Sequence, residues 1–240
     1  MNYKKNKIAL FLDFDGVLFD TLKEAYVLCR NVCWDIDIFA PIEKEMYDRF
    51  YRYKFLVFNS WQYFYLMKTL ETTTVSISDE EFINKYNDYL TNRIKNEEDI
   101  FEAKYMEKRK WLIENYPDYV DKLEEKFSFY DAVVSLKDDE KYDIMILSRK
   151  NSFAIRRKGV DFKIVGKEEL MNVVNKSEFI EEYMKSNKIS QAYFVDDNFH
   201  NLEPCSNIRG LTCLLAGWGN CGIYEKGLTQ EEVFNIVTNC

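Results

Sequence analysis

The sequence is poor in the residues that mark disordered, fibrous or histidine-ligated metal-binding chains. It has 8 glycines, 3 prolines and a single histidine among 240 residues, whereas 47% of the residues are hydrophobic and 16% are aromatic. This composition excludes a disordered or fibrous protein, and the lone His200 excludes a histidine-rich metal site. At this length the chain has room for one large domain, or for a core domain with a smaller one.

Basic residues are fewer than acidic ones, and long apolar runs are missing. The net charge is −8 and the pI is near 5.0, which disfavours a broad surface for nucleic acid or membrane lipid. No stretch approaches the roughly 18 consecutive apolar residues of a membrane-spanning helix. Asp13 and Asp15 stand where a signal peptide would keep its apolar core. We therefore expect a cytoplasmic protein that binds neither nucleic acid nor membrane.

Cysteine is present, but in no pattern that indicates disulfides or a metal site. There is no C-x-x-C pair, and in a chain of this size without an export signal free thiols are more common than a disulfide framework. We expect buried or incidental thiols at six positions: Cys29, Cys33, Cys205, Cys213, Cys221 and Cys240.

Short apolar runs that each end at a polar residue predict a parallel sheet covered on both faces. The runs are Ile8–Leu12, Tyr142–Leu147 and Gln191–Val195, with Phe162–Val165 and Leu211–Ala216 as two further candidates. The polar residues that follow the first three runs are Asp13, Ser148 and the pair Asp196 and Asp197. Because ligands bind at the carboxyl ends of such strands, these side chains are expected to meet at one site.

More than a hundred residues of helical character separate the first two of these strands. Helix-forming runs with apolar residues at 3–4 spacing cover Pro41–Leu70, Glu80–Arg93 and Ile100–Glu114, and a capping box begins at Ser78. The expected fold is therefore α/β, with a Rossmann-like parallel-sheet core formed by residues 1–20 and 129–240. An α-helical cap domain, residues 21–128, would be inserted after the first strand.

The first predicted strand runs directly into two carboxylates, Asp13 and Asp15, followed by Gly16. Burying like charges costs several kcal/mol unless something compensates them. Carboxylates contributed from the strand that ends at Asp196 and Asp197 would complete an oxygen-only pocket, which suits Mg²⁺. The metal would offset the buried negative charge.

At this point the sequence resembles the haloacid dehalogenase superfamily of phosphotransferases. The match consists of Asp13-Phe-Asp15-Gly16-Val17, Ser148 after an apolar strand, Lys176 at the start of the next helix, and Asp196-Asp197 with Asn201. These elements occur in the family's order, each at the predicted end of the right strand or helix. The inserted helices are similar only in position and character to the family's type-1 cap.

The resemblance implies a role for each matched residue. Asp13 would be the nucleophile that takes the phosphoryl group as an aspartyl phosphate, and Asp15 would be the general acid and base. Ser148 would donate a hydrogen bond to a phosphoryl oxygen, and Lys176 would neutralise charge on the nucleophile and the phosphate. Dehalogenases of this superfamily lack the second aspartate, so Asp15 favours phosphate chemistry.

The same resemblance implies Mg²⁺ as the cofactor. Its ligands would be Asp13, the main-chain carbonyl of Asp15, and Asp197, with Asp196 as the alternative to Asp197. Gly16 would allow close approach of the backbone to the phosphate. The residues expected to bind substrate are Gly16, Ser148, Arg149 and Lys176.

Some assignments have rivals within the sequence. Lys163 and Lys167 compete with Lys176, although the distance from Lys176 to Asp197 along the chain suits one helix, a turn and a strand. Lys150, beside Arg149, is also near enough to the chemistry to reach substrate.

Other residues have a structural interpretation beside the functional one. Asn201 could orient a metal-binding aspartate or begin a helix, and Trp218 could pack at the rim or contact substrate. A cluster on one predicted helix could face an anionic substrate, but a solvated charged face is slightly favoured for it: Arg49, Arg52 and Tyr53.

The function expected from these residues is that of a Mg²⁺-dependent phosphohydrolase acting on a small phosphorylated metabolite, such as a sugar phosphate. A phosphomutase would use the same residues. A non-catalytic module that binds a phosphorylated ligand is disfavoured, because it would have no need of the acid/base Asp15. The sequence leaves the substrate and the oligomeric state open.

Overall fold

The computed structural model describes residues 7–166, 176–223 and 226–239. The chain divides into two compact units, which are referred to below as the core unit and the helical unit. The core unit comprises residues 1–20 and 126–240, and the helical unit comprises residues 21–125.

The core unit is built on a parallel sheet, as the apolar runs predict. The strands found in the described residues are β1 (Ile8–Leu12), β2 (Phe19–Asp20), β3 (Glu125–Lys126), β4 (Tyr142–Leu147), β5 (Lys163–Val165), β6 (Gln191–Asp196) and β7 (Leu211–Leu215). Five of them form one sheet in the order β5-β4-β1-β6-β7, and β2 pairs separately with β3. Each pairing within the five-stranded sheet is parallel, so the predicted α/β fold class is confirmed.

The register of the central strand explains where the polar residues go. Leu12 of β1 lies opposite Ile146 of β4 and Val195 of β6. Asp13 is therefore level with Leu147 and Asp196 at the carboxyl edge of the sheet, and Ser148 comes one residue after Leu147. The backbone N–H of Asp13 continues this pattern by donating to the Val195 carbonyl at 2.9 Å.

Six helices occur in the helical unit. They are α1 (Leu22–Trp34), α2 (Lys44–Tyr53), α3 (Gln62–Thr72), α4 (Asp79–Thr91), α5 (Lys95–Asn115) and α6 (Pro117–Leu123), with a 3₁₀ turn at Lys54–Leu56. The aromatic side chains of this unit form a core of their own. The capping box predicted at Ser78 is present at the start of α4. Pro117 occupies the first position of α6, where its missing N–H costs nothing.

The predicted helical run Pro41–Leu70 is two helices rather than one. Between α2 and α3, the Gln62 side chain accepts hydrogen bonds from the N–H groups of Phe58 and Asn59, at 2.7 and 2.8 Å. In a continuous helix these two N–H groups would donate to backbone carbonyls of the preceding turn, whereas here they donate to the Gln62 side chain. Asn59 and Ser60 favour such local alternatives over helix interiors.

Helices cover both faces of the sheet in the core unit. The described helices are α7 (Ser128–Val134), α8 (Ser152–Arg156), α9 (Lys176–Ser186), α10 (Phe199–Leu202) and α11 (Gln230–Thr238), with a 3₁₀ turn at Glu203–Cys205. Alternate residues of β1 enter different clusters: Leu10 packs with residues of α7 and α11, whereas Phe11 packs with residues of α9 and α10. This arrangement explains why β1 is apolar throughout.

Two further sequence expectations concern membranes and cysteines. Among the described helices, none is long and apolar enough to span a membrane. None of the described cysteines (Cys29, Cys33, Cys205, Cys213 and Cys221) forms a disulfide, as expected, and Cys240 lies outside the described residues.

Candidate active site

Three predicted site residues meet at the carboxyl edge of the core sheet around one buried ammonium group. The Lys176 Nζ lies 3.1 Å from Oδ2 of Asp13 and 2.7 Å from Oδ2 of Asp196. Lys176 is the first residue of α9, Asp13 follows β1 and Asp196 ends β6, and all three residues are buried. One lysine thus bridges carboxylates from two neighbouring strands.

Some of the surroundings of Asp13 raise the pKa of its carboxyl group and others lower it. Burial is the largest influence on the pKa of Asp13 and raises it, as do the charges of Asp196 and Asp15. The charge of Lys176 and a hydrogen bond from Ser148 lower it, and the net result is a pKa of about 6. Its Oδ1 also accepts from the backbone N–H of Phe14 at 2.7 Å. The surroundings therefore hold this side chain in one place although they penalise its charge.

The same environment favours the charged form of Lys176. Burial alone would lower the pKa of its ammonium group, but the charges of Asp13 and Asp196 and the hydrogen bonds to them outweigh burial and raise the pKa. Of its rivals, Lys163 is exposed and its Nζ lies 4.3 Å from the centre of the Tyr183 ring, and Lys167 lies outside the described residues.

Asp196 has hydrogen-bond donors on both carboxylate oxygens. Oδ1 accepts from the Asn198 N–H at 2.9 Å and from Asn201 Nδ2 at 3.0 Å, and Oδ2 accepts from Asn201 Nδ2 at 3.1 Å in addition to Lys176. Asn201 thus contacts Asp196 from within α10. These hydrogen bonds orient Lys176 and hold the loop after β6 against the Asp196 side chain.

Asp197 is held by backbone that only glycine permits. Its Oδ2 accepts from the Asn220 N–H at 2.8 Å. A Cβ on Gly16, whose φ is +79°, would overlap the Asp197 carboxylate, and a Cβ on Gly219 would overlap both Asp197 and the Gly16 carbonyl oxygen. Two segments distant in sequence therefore enclose this side chain at close range.

The donor set at this edge fits a divalent cation that prefers oxygen. Among the described residues, Asp13, Asp196 and Asp197 each offer a carboxylate oxygen within 4.8 Å of the others. Carboxylates and backbone carbonyls are ligands that Mg²⁺ prefers, and such an ion would offset the negative charge that Asp13, Asp196 and Asp197 bring together. Because Lys176 and Asn201 already engage Asp196, Asp197 is the better placed of the two to bind a metal.

Ser148 and the residues after it form the remaining part of the site. The Ser148 N–H donates to the Val165 carbonyl at 3.0 Å, and its side chain is buried and contributes to lowering the pKa of Asp13. Arg149, the predicted substrate-binding residue, is exposed. The structure instead places Lys150 inside, with its Nζ 2.9 Å from Oδ1 of Asp15.

The position of Lys150 has a weak signal in the sequence. Residues two apart on extended chain point to the same side, and Ser148 and Lys150 have this spacing at the end of an apolar strand. The alternation does not tell which of Arg149 and Lys150 turns inward once the strand has ended.

The basic cluster of the helical unit is engaged within that unit. Arg49 donates to the Leu70 carbonyl at 3.3 Å and to Thr73 Oγ1 at 2.8 Å. Arg52 and Tyr53 both bind Asp79, the first residue of α4. These contacts support the structural interpretation of the cluster.

Trp218 has contacts of a packing residue. Its ring lies 5.0 Å from that of Phe129, centre to centre, and its Nε1 donates to the Val17 carbonyl at 3.1 Å. These contacts hold it against the segment that follows Asp15 and Gly16.

Solved structures share this fold over nearly the whole chain. A predicted phosphoglycolate phosphatase from Haemophilus somnus has a TM-score of 0.58 at 10% identity, covering 98% of this chain and 100% of that one. A haloacid dehalogenase-like hydrolase from Streptococcus pneumoniae has a TM-score of 0.57 at 15% identity, covering 97% and 99%. A candidate beta-phosphoglucomutase from Thermotoga maritima has a TM-score of 0.50 at 14% identity, also covering 97% and 99%.

The sequence comparisons find no match, whereas the structural comparison does. No protein-family model matches the chain, and a search of curated proteins finds no match. The structural likenesses show that the chain has the fold of the haloacid dehalogenase superfamily.

Proposed function

We propose that this protein is a Mg²⁺-dependent phosphatase that acts on a small phosphorylated metabolite through an aspartyl phosphate on Asp13. The main support is the buried Lys176, whose Nζ lies between Asp13 and Asp196 at 3.1 and 2.7 Å. A lysine buried beside a carboxylate at the mouth of a parallel sheet is suited to hold a nucleophile and an anionic substrate together.

The chemistry divides into two displacements at phosphorus. In the first, an Asp13 oxygen attacks the phosphoryl group, the bond to the leaving oxygen breaks, and Asp15 gives that oxygen its proton. In the second, Asp15 takes a proton from water, whose oxygen attacks phosphorus and releases phosphate from Asp13. Lys176 and the Ser148 hydroxyl stabilise negative charge on the phosphoryl oxygens in both steps.

The metal proposed for this site would be held by three groups of the core unit. They are the Asp13 carboxylate, the main-chain carbonyl of Asp15, and the Asp197 carboxylate, with Asp196 reserved for Lys176. When bound, Mg²⁺ would neutralise charge on the carboxylates and on the phosphoryl group. Gly16 and Arg149 complete the proposed contacts to substrate, and the helical unit is proposed to be the cap domain that selects it.

The proposal is tested by phosphate release from 4-nitrophenyl phosphate and a panel of sugar phosphates, with Mg²⁺ and with EDTA. Asp13→Asn should abolish release, because an amide cannot take the phosphoryl group in the same way. Asp161→Asn, which changes an exposed aspartate of the same unit, is the matched control. If Asp13→Asn and the wild type released phosphate equally, or if the wild type released none from the whole panel, the proposal would be wrong.

A phosphomutase is the second candidate, because one structural neighbour is named as a candidate beta-phosphoglucomutase. A mutase would return the phosphoryl group from Asp13 to a sugar instead of to water. Isomerisation of a sugar phosphate that requires catalytic amounts of a sugar bisphosphate would favour it. Stoichiometric phosphate release without isomerisation would favour the phosphatase.

A further inference from the structure

We propose that Lys150 is a positioning residue that holds the carboxylate of Asp15 in place for proton transfer. The Lys150 Nζ lies 2.9 Å from Oδ1 of Asp15 across 135 positions of sequence. The assignment rests on the proposed phosphatase function, in which Asp15 exchanges protons with the leaving group and with water. It adds to the site a residue that acts through another side chain.

The burial of Lys150 shows that this contact is built into the fold. Only 1% of its side chain is exposed, and its Nζ lies 5.2 Å from the centre of the buried Phe14 ring. A lysine normally extends its ammonium group into water, and burying that charge is costly without a partner. The Asp15 carboxylate at 2.9 Å contributes to that compensation, and Phe14 adds a cation–π contact.

Asp15 is a side chain that needs such support. Its side chain is 41% exposed, so packing alone does not fix its rotamer. Asp13, two residues away, carries a charge of the same sign and would repel it. A general acid or base works only within about 2.6–3.2 Å of the atom that it protonates or deprotonates. The Lys150 ammonium supplies the opposing attraction that fixes the carboxylate.

The loop after β4 fixes the position of Lys150. The Lys150 N–H donates to Ser148 Oγ at 3.3 Å, and the Ser148 N–H donates to the Val165 carbonyl of β5 at 3.0 Å. These bonds hold the backbone from which the Lys150 side chain reaches Asp15. A shift of this loop would therefore move the ammonium group away from Asp15.

A double-mutant cycle between Lys150 and Asp15 tests the assignment on the full-length protein. Phosphate release with Mg²⁺ is measured from two substrates. One is the aryl phosphate 4-nitrophenyl phosphate, and the other is an alkyl phosphate, either glycerol phosphate or a sugar phosphate from the panel. Lys150→Met, which keeps the length of the side chain, should lower kcat for the alkyl phosphate by roughly 10- to 100-fold, the cost of a small misplacement. The loss for the aryl phosphate should be smaller, because nitrophenolate departs without a proton, and KM should change less than about threefold.

The combined variant gives the result that a merely structural role would not produce. In the Asp15→Asn background, Lys150→Met should cost no more than about a further twofold in kcat, since the side chain that it positions is already disabled. Lys150→Gln can still donate one hydrogen bond to Asp15, so its kcat for the alkyl phosphate should lie between those of the wild type and Lys150→Met. If Lys150→Met does not fold, Lys150→Gln is used for the test instead. Lys137→Met, which removes another lysine paired with an aspartate in the core unit, is the matched control and should retain wild-type rates.

Each other outcome overturns the assignment. Wild-type rates for the Lys150 variants on the alkyl phosphate would show that Asp15 needs no such partner. A loss that appears mainly in KM, or that persists at full size in the Asp15→Asn background, would show that Lys150 binds substrate directly. In both cases the wild type still releases phosphate. Absence of release from the wild type would instead overturn the proposed function, and with it this role for Lys150.

Discussion

At the scale of single residues, the site pairs each of several buried charges with a specific partner. Lys176 forms ion pairs with Asp13 and Asp196, and Lys150 forms one with Asp15. Buried ions are tolerated when each is matched in this way and costly when one member of a pair is removed. Substitutions here should therefore affect both stability and chemistry, and the two effects must be measured separately.

Asp15→Asn should remove the proton transfer at this position while leaving the protein folded. The amide can occupy the same space but cannot exchange a proton, so turnover should fall by roughly 10²–10⁴. The loss should be larger for a sugar phosphate than for an aryl phosphate, whose leaving group needs little protonation. Some aspartyl phosphate should accumulate on Asp13, which rapid quench and mass measurement would detect.

The Asp15→Asn variant should remain folded, but its melting temperature should fall below that of the wild type, because the buried Lys150 ammonium loses the carboxylate that it binds. Its Mg²⁺ dependence should also remain, because the proposed metal contact uses the main-chain carbonyl. Wild-type hydrolysis of both substrate classes by this variant would refute the role given to Asp15.

Gly16→Ala should disable the site through the backbone. A Cβ at this position would overlap the Asp197 carboxylate, and the φ of +79° is strained for any other residue. We expect a loss of roughly 1–3 kcal/mol in unfolding free energy and a loss of most phosphate release. Unfolding by urea and activity measurements would check both.

Gly159 offers a control with the same backbone requirement and no crowding. Its φ is +67°, and among the described residues no atom beyond its chain neighbours lies within 4 Å of the position of its Cβ. Gly159→Ala should therefore show a strain penalty but keep its activity. If the two alanine variants lost activity equally, crowding against Asp197 would not be the cause.

The residues at strand ends could be predicted because strand period and topology determine where they lie. Asp13, Ser148 and Asp196 follow apolar runs of neighbouring parallel strands, whose register sets Asp13 level with Asp196 and with the residue before Ser148. The inward turn of Lys150 and the exposure of Arg149 could not be predicted, because they depend on loop backbone after the strand. The division between Asp196 and Asp197 likewise depends on which oxygens Lys176 and Asn201 reach.

At the scale of secondary-structure elements, the first turn of α4 joins the helices of the helical unit. Its capping box at Ser78 is followed by Asp79, which binds Arg52 and Tyr53 of α2. The box could be predicted because its spacing is local. The partners of Asp79 could not, because they depend on how α2 and α4 pack.

Asp79→Asn should weaken this junction in a pH-dependent way. The hydrogen bonds from Arg52 are the main cause that lowers the pKa of Asp79 below its ordinary value of 3.8. A lowered pKa means that the carboxylate stabilises the fold above pH 3.8, and that this stabilisation is lost as the pH falls through the folded-state pKa. At pH 7 the variant should be less stable by about 1 kcal/mol, the scale of a partly exposed ion pair.

Urea unfolding of Asp79→Asn and wild type at pH 7, 5, 4 and 3 would check this prediction. The difference between them should stay constant down to about pH 4 and shrink below it. Asp88→Asn, at an exposed position of the same helix, should show a smaller difference at pH 7. A difference for Asp79→Asn that grew as the pH fell would contradict the prediction.

At the scale of the whole molecule, the sheet was predictable and the breaks between helices were less so. Apolar runs of five or six residues give the central strands almost to the residue, because those strands are covered on both faces. The helical unit is held by aromatic packing among its own helices, where sequence spacing does not show which turn ends a helix. The interruption between α2 and α3 depends on one glutamine side chain.

The acidic site should make the stability of the whole protein depend on Mg²⁺. An ion that binds only the folded state adds RT ln(1 + [L]/Kd) to the free energy of unfolding, about 2.7 kcal/mol at a hundred times Kd. Thermal unfolding of the wild type in EDTA and in increasing Mg²⁺ should show a rising melting temperature. Asp161→Asn, the exposed control, should respond as the wild type does.

The two adjacent aspartates should differ in this experiment because their partners differ. Asp197→Asn should unfold near the wild-type temperature in EDTA and lose most of the response to Mg²⁺. Asp196→Asn should already be destabilised in EDTA, since Lys176 and Asn201 lose the carboxylate that they bind. If Asp197→Asn kept the full response to Mg²⁺ and Asp196→Asn lost it without prior destabilisation, the metal would be bound by Asp196, and the division of roles between the two aspartates would have to be reversed.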